Sequence, residues 1–204
     1  MNCRIIASGS KGNAILYEYI LVDCGVSYSK LKPYENRIKL VLLTHEHKDH
    51  FNLKTLKELS KHAKIVCSHN MKRFLDDVPY IVLDTNKWYN LGSVKLSPFI
   101  LYHDVENVGW RIEINGKKVF HATDTSTLVG ITAKDYDVYG IEHNYDEVSI
   151  YDVIDNKIKN HQFAYESGAI ESHLSIQQAE AFLKANARED SKVLKLHQSG
   201  RNEE

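Results

Sequence analysis

The feature that most constrains this chain is the apolar run IKLVLL at positions 38–43, followed after one residue by His45-Glu46-His47-Lys48-Asp49-His50. A short, branched run of this kind reads as a strand buried on both faces. At its C-terminal end, three histidines and an aspartate fall within six residues. Imidazole nitrogens and carboxylate oxygens are donors that suit zinc and neighbouring first-row metals. Side chains alternate along extended backbone, so His45 and His47 point the same way. Asp49 and His50 follow once the chain turns and can serve a second position nearby. The bland alternative is a polar surface cluster at a helix start with Asp49 as a cap, and the grouping directly after a buried strand speaks against it.

The same placement recurs along the chain. His103 follows an apolar run at 96–102, Asp124 follows 119–122 within Thr123-Asp124-Thr125, and His197 follows 193–196. Each alone reads as an ordinary surface or core residue. Jointly, three ligand types just past apolar strands imply one sheet edge that gathers them with the first motif.

The remaining pattern predicts short strands with interleaved helices. Runs at 3–7 and 14–22, separated by Ser8-Gly9-Ser10-Lys11-Gly12-Asn13, predict a hairpin. Leu53, Leu56 and Leu59 predict an amphipathic helix over 52–63, followed by a strand at 65–67 and a short helix at 71–75. Strands are predicted through 80–120, with Asn115-Gly116 as a hairpin turn, and again at 138–141. The stretch 150–170 has mixed helical character, and Ser175 is a plausible cap for a helix over 176–187. The order suggests an α/β (α+β) fold: two sheets packed together with helices outside, a four-layer αββα sandwich.

Composition narrows the class. A chain of 204 residues with 43% hydrophobic content suits a single domain over 1–204 with a sizeable core. Its formal net charge of -1 lacks the basic excess of a protein held on bulk nucleic acid, so any such substrate needs a local patch. The three cysteines, Cys3, Cys24 and Cys67, are odd in number and widely spaced, which argues against a disulfide framework and for a reducing cytoplasm. No apolar run approaches the roughly 20 residues that span a bilayer, so no membrane is expected. Cys24 reads as a buried small hydrophobe.

The ordered strings His45–His50, His103-Asp104, Thr123-Asp124-Thr125 and Leu196-His197-Gln198-Ser199 resemble the metallo-β-lactamase superfamily from end to end. The chain is most similar to its YycJ/WalJ-type and tRNase Z-like phosphodiesterase branches. Supporting strings are Ser8–Ala14, Leu21-Val22-Asp23-Cys24-Gly25, Val108-Gly109-Trp110 and Ser172-His173-Leu174-Ser175. The resemblance implies that His45, His47 and His103 hold one divalent ion, that Asp49, His50 and His197 hold a second, and that Asp124 bridges them. The ions are expected to be zinc, or manganese, and to activate a water. Asp23 would orient a motif histidine through its other ring nitrogen. His173 would contact the scissile phosphate or protonate the leaving group, with Glu142-His143 assisting, and Ser10 and Asn13 would lie near the substrate. His121 could also lie near the site. The family's tRNA-gripping arm is not visible, and 204 residues leave no room for the large insertion of its β-CASP nucleases.

The leading expectation is a dinuclear metal-dependent hydrolase cleaving DNA or RNA, with Lys11, Lys48, Lys72, Arg73, Lys117 and Lys118 near the rim. Competing readings are a phosphodiesterase of cyclic or short oligonucleotides, a thioester or lactone hydrolase, and a metal-stabilised binding module without turnover. Seven expected ligands speak against the last.

Overall fold

The computed structural model describes residues 1–162 and 166–198. Of the predicted helical stretch 150–170, positions 163–165 lie outside the described residues, as does Ser199 of the last motif.

Twelve strands form two six-stranded sheets among the described residues. The first contains β1 (Cys3–Ala7), β2 (Ala14–Tyr17), β3 (Ile20–Val22), β4 (Leu40–Leu42), β5 (Lys64–Cys67) and β6 (Tyr80–Val82), in that spatial order. The second contains β7 (Tyr89–Leu91), β8 (Val94–Leu101), β9 (Asn107–Ile114), β10 (Lys117–Ala122), β11 (Val138–Glu142) and β12 (Lys192–Leu196), also in chain order across the sheet. Each sheet begins antiparallel and ends parallel: the switch comes at β3 in the first and at β10 in the second. The helices are α1 (Tyr28–Leu31), α2 (Leu53–Leu59), α3 (Ile150–Lys159), α4 (Glu166–Ser172) and α5 (Ile176–Asn186).

Side-chain alternation divides the core into three apolar layers, and these define the αββα sandwich. Leu40 and Leu42 point inward with Tyr17, Ile20 and Val22, meeting Trp110, Ile112 and Val138 of the other sheet. Val41, one residue out of phase, faces the opposite way, onto Leu56 and Leu59 of α2. Likewise Val119 faces inward, while Phe120 and Ala122 face Ala179 and Phe182 of α5. Each such buried side chain contributes about 1.5–3 kcal/mol by leaving water. α5 starts where the Ser175 hydroxyl accepts a hydrogen bond from the Gln178 N–H at 3.0 Å, and Gln178 Oε1 accepts one from the Ser175 N–H at 2.9 Å. This reciprocal cap fixes the helix start.

Two predicted elements differ in detail. The run 14–22 is two strands: Glu18 takes a left-handed φ of 52° and the chain reverses, pairing Tyr17 with Ile20. The turn lacks glycine, so an unbroken apolar run hid it. The predicted helix at 71–75 is a 3-10 segment over His69–Phe74. Cys3, Cys24 and Cys67 are free, and Cys24 is fully buried. No described helix is long and apolar enough to cross a membrane.

Candidate metal centre

The topology delivers the predicted residues to one edge. Asp23, Thr44-His45, His103, Asp124, His143 and His197 follow the C-terminal ends of β3, β4, β8, β10, β11 and β12, strands that run in parallel registers or through one antiparallel neighbour. Open α/β sheets place ligands outside such carboxyl ends. Asp23, Asp124 and His197 all have left-handed φ, at 61°, 55° and 47°. Non-glycine residues seldom adopt this conformation, and where they do the strain tends to be retained at functional positions.

His45, His47 and His103 form one group whose nitrogens converge within 4.8 Å. Their tautomers follow from their partners. Thr44 Oγ1 gives its proton to Asp23 Oδ2 at 2.8 Å, so it accepts from His45 Nδ1 at 3.0 Å. That leaves His45 Nε2 with a lone pair, buried and without a partner. His103 Nδ1 donates to the Ser172 carbonyl at 2.9 Å, which frees its Nε2, and that nitrogen lies 3.3 Å from His47 Nδ1. Burial lowers the pKa of His45 and of His103, so both rings are neutral, as ligands must be.

Asp49, His50 and His197 form a second group, and His45, His50 and Asp124 a third that joins it to the first. His50 Nδ1 donates to Asp23 Oδ2 at 2.7 Å. Its Nε2 faces the Asn13 amide nitrogen at 2.8 Å and Asp124 Oδ2 at 2.7 Å. The Asn13 amide oxygen is taken by the Gly9 N–H, so its nitrogen is the donor and His50 Nε2 the acceptor. A lone pair therefore faces a carboxylate oxygen that has no hydrogen-bond partner. A divalent cation satisfies both. Without one the ring must carry the charge itself: burial opposes this, but Asp124 and Asp23 lift His50 to about 10. The Asn13 contact favours the neutral ring that a cation requires, a cation taking the Nε2 lone pair in place of the Asn13 N–H, and the donor set of nitrogen and carboxylate oxygen fits such an ion.

His173 lies beside this centre. Its Nδ1 is 2.6 Å from Glu142 Oε1 and 3.2 Å from Asp124 Oδ1. Burial works against a charge on the ring, but Asp124 and Glu142 outweigh it and raise His173 to about 9. Glu142 is fully buried and also faces His197 Nδ1 at 3.4 Å. Ser10 and Lys11 line a cleft of about 1100 Å³ that reaches His103, His173 and His197.

Three predicted placements need correction. His143 is buried, with Nδ1 on the Ile141 carbonyl at 3.1 Å; one residue past Glu142, its side chain leaves on the other face. Asn13 is also buried, and its amide meets Asp49 and His50 rather than the cleft. Lys117 and Lys118 sit at the far end of β10, where Lys117 pairs with Asp137 at 2.9 Å. Of the six expected basic residues only Lys11 lines the cleft, joined by Lys30 and Lys195. His121 lies between the sheets with Nδ1 on the Tyr17 hydroxyl at 2.9 Å.

Asp104 and Ser8 stood in the sequence strings without a role of their own, and Asn144 was missed. Asp104 Oδ1 lies 3.1 Å from His103 Nε2 and 3.4 Å from His47 Nε2; its position next to His103 was the available signal. Asn144 Nδ2 donates to the His197 carbonyl at 3.1 Å, and Ser8 Oγ accepts the His197 N–H at 2.7 Å.

The family model described as a beta-lactamase superfamily domain matches residues 18–190. The chain belongs to the metallo-β-lactamase superfamily. A comparison with curated proteins returns no match. Among solved structures, the metallo-β-lactamase-fold protein YhfI from Bacillus subtilis superposes with a TM-score of 0.72 at 17% identity, covering 96% of this chain and 85% of that one. Human tRNase Z, short form, gives 0.72 at 18% identity, covering 98% and 93%. A diphosphatase from the PhnP family gives 0.66 at 13% identity, covering 96% and 86%. At these identities the likeness establishes the metallo-β-lactamase fold. The histidine and carboxylate clusters at the strand ends make this member a metal-dependent hydrolase in its general chemistry.

Proposed function

We propose that this chain is a phosphodiesterase that cleaves DNA or RNA, using two divalent ions, zinc by preference or manganese. His45, His47 and His103 hold one ion, Asp49, His50 and His197 the other, and Asp124 lies between the two groups. When bound, the ions supply a water deprotonated near neutral pH and neutralise charge on the phosphoryl group.

The observation that carries the reading is the pair His173–Glu142, 2.6 Å apart, with His173 in the lining of the cleft and Glu142 fully buried. A phosphodiester expels an alkoxide, which needs a proton as the bond breaks. Against the pull of burial, Asp124 and Glu142 raise the pKa of His173, and the Glu142 contact at Nδ1 favours the protonated ring that can act as general acid. A thioester expels a thiolate, which needs no such donor. Asp23 and Thr44 fix the tautomers of His50 and His45, and Asn144 and Ser8 anchor His197. The fold neighbours named as a tRNase and a diphosphatase are compatible with phosphoester chemistry.

A second reading keeps the chemistry and shortens the substrate. It is favoured by the mixed charge of the cleft, where Lys11, Lys30 and Lys195 share the lining with Asp104 and Glu171. Incubation of the metal-loaded protein with single- and double-stranded DNA and RNA tests the first reading, and absence of cleavage with both zinc and manganese ends it. A salt titration of turnover separates the two, since a long polyanion shows a steep dependence and a short one a shallow dependence.

A further inference from the structure

Next to the metal centre is a second pocket of about 660 Å³, which shares His103, Asp104 and Glu171 with the cleft. Its volume lies in the range of small-molecule sites. Its wall carries two large side chains left open to solvent, Ile100 at 52% and Tyr102 at 56%. The lining contains four carboxylates, Asp84, Asp104, Glu106 and Glu171, and no lysine or arginine. Three of the cleft's lining residues, by contrast, are lysines. The centre thus stands between a side that carries three lysines and a side whose lining has four carboxylates but no lysine or arginine.

Resting on the phosphodiesterase reading above, we propose that this second pocket is a nucleoside subsite, so that the enzyme cuts at a substrate end whose last residue carries no further phosphate. A nucleobase offers a flat face for Tyr102 and Ile100. Its amino groups and the sugar hydroxyls are donors, which match the carboxylates of the lining, groups that only accept when ionised. Asp84 is paired with Lys87 at 2.9 Å and with His69 at 3.0 Å, but a further phosphate there would still meet Asp104, Glu106 and Glu171 with no lysine or arginine in the lining. On the other side of the scissile bond, Lys11, Lys30 and Lys195 accommodate the anionic chain. Substrates are therefore short oligonucleotides or strand ends, not a strand running past the centre in both directions.

The test has a binding arm and a turnover arm. In the first, adenosine and cytidine binding is followed by saturation-transfer NMR for the unmodified protein, Tyr102→Ala and His45→Ala. Both Tyr102 backbone groups stay bonded, its N–H to Thr125 Oγ1 at 3.1 Å and its carbonyl to the Ser126 N–H at 2.7 Å, so removing the exposed ring leaves the fold intact. Tyr102→Ala is expected to weaken nucleoside binding about tenfold, the loss typical of a removed stacking partner; His45→Ala is expected to leave it. In the second arm, Tyr102→Ala raises KM for a dinucleoside monophosphate about tenfold, while methyl p-nitrophenyl phosphate, which has no nucleoside, is turned over as before. Adding a terminal phosphate at one end of the dinucleotide lowers kcat/KM, and Glu106→Lys restores it. Nucleoside binding unchanged by Tyr102→Ala, or equal tolerance of phosphate at both ends, overturns the proposal. If no phosphodiester is cleaved but Tyr102-dependent nucleoside binding persists, the catalytic reading fails and the subsite stands.

Discussion

Asp23 Oδ2 lies 2.7 Å from His50 Nδ1, and the same oxygen takes the Thr44 hydroxyl proton at 2.8 Å. One carboxylate therefore sets the tautomers of two rings at once, His50 directly and His45 through Thr44. Asp23→Asn keeps the volume but offers an N–H where an acceptor is required. Metal affinity should fall 10–100-fold, the usual cost of losing such a support, as read by competition with a chromogenic chelator. Unchanged affinity would show that Asp23 is merely a buried turn residue.

His173→Ala and Glu142→Gln separate proton donation from the rest of the chemistry. Loss of a general acid costs about 10²–10⁴-fold for esters with alkoxide leaving groups. A p-nitrophenyl ester loses far less, because p-nitrophenolate departs without a proton. Equal losses on both substrates would remove His173 from that role.

Gly25→Ala should loosen the motif loop from behind. A Cβ on Gly25 would overlap the Asp49 carbonyl and crowd the His50 N–H, both of them backbone. Overpacking of this kind costs about 1–3 kcal/mol. Thermal unfolding should show a lower Tm, and the variant should retain less metal after dialysis than the unmodified protein.

Trp110→Phe tests how the inter-sheet core supports the first ligand. Trp110 Nε1 donates to the Leu43 carbonyl at 3.2 Å, two residues before His45. Losing this buried bond costs about 1–3 kcal/mol with the carbonyl left unpaired. Urea unfolding measures it, and a variant as stable as the original would refute the link.

The thiols offer a check on burial that needs no substitution. Burial pushes Cys24 and Cys67 up to about 12 and also raises Cys3, which is only half-buried. At pH 8 neither Cys24 nor Cys67 carries thiolate, the reactive form. Native protein should label with iodoacetamide at Cys3 alone, and denatured protein at all three, as read by peptide mass spectrometry.

Much of the site was legible because its signal is local. A ligand type one residue beyond an apolar run needs only the strand period to be noticed, and this found His45, His103, Asp124 and His197. Sidedness was harder to read. Glu142 and His143 are adjacent, yet one reaches His173 and the other packs away, a distinction that depends on the register of β11. Lys117 and Lys118 were misplaced because β10 runs toward the centre, which puts its first residues at the opposite end. Asn13 showed its polarity in sequence but not its burial, which comes from the loop folding over Asp49.

The His197 N–H rests on Ser8 Oγ, 189 positions away in the chain. The centre therefore draws on both sheets and on residues from near the start to near the end of the described chain. A chain broken or interrupted before β12 retains the dense motif at 45–50 but has lost a ligand of the second group and the strap that secures the first loop. On the two-ion reading proposed above, tight metal capture would report that both halves have met, and metal retention would serve as an assay of correct assembly.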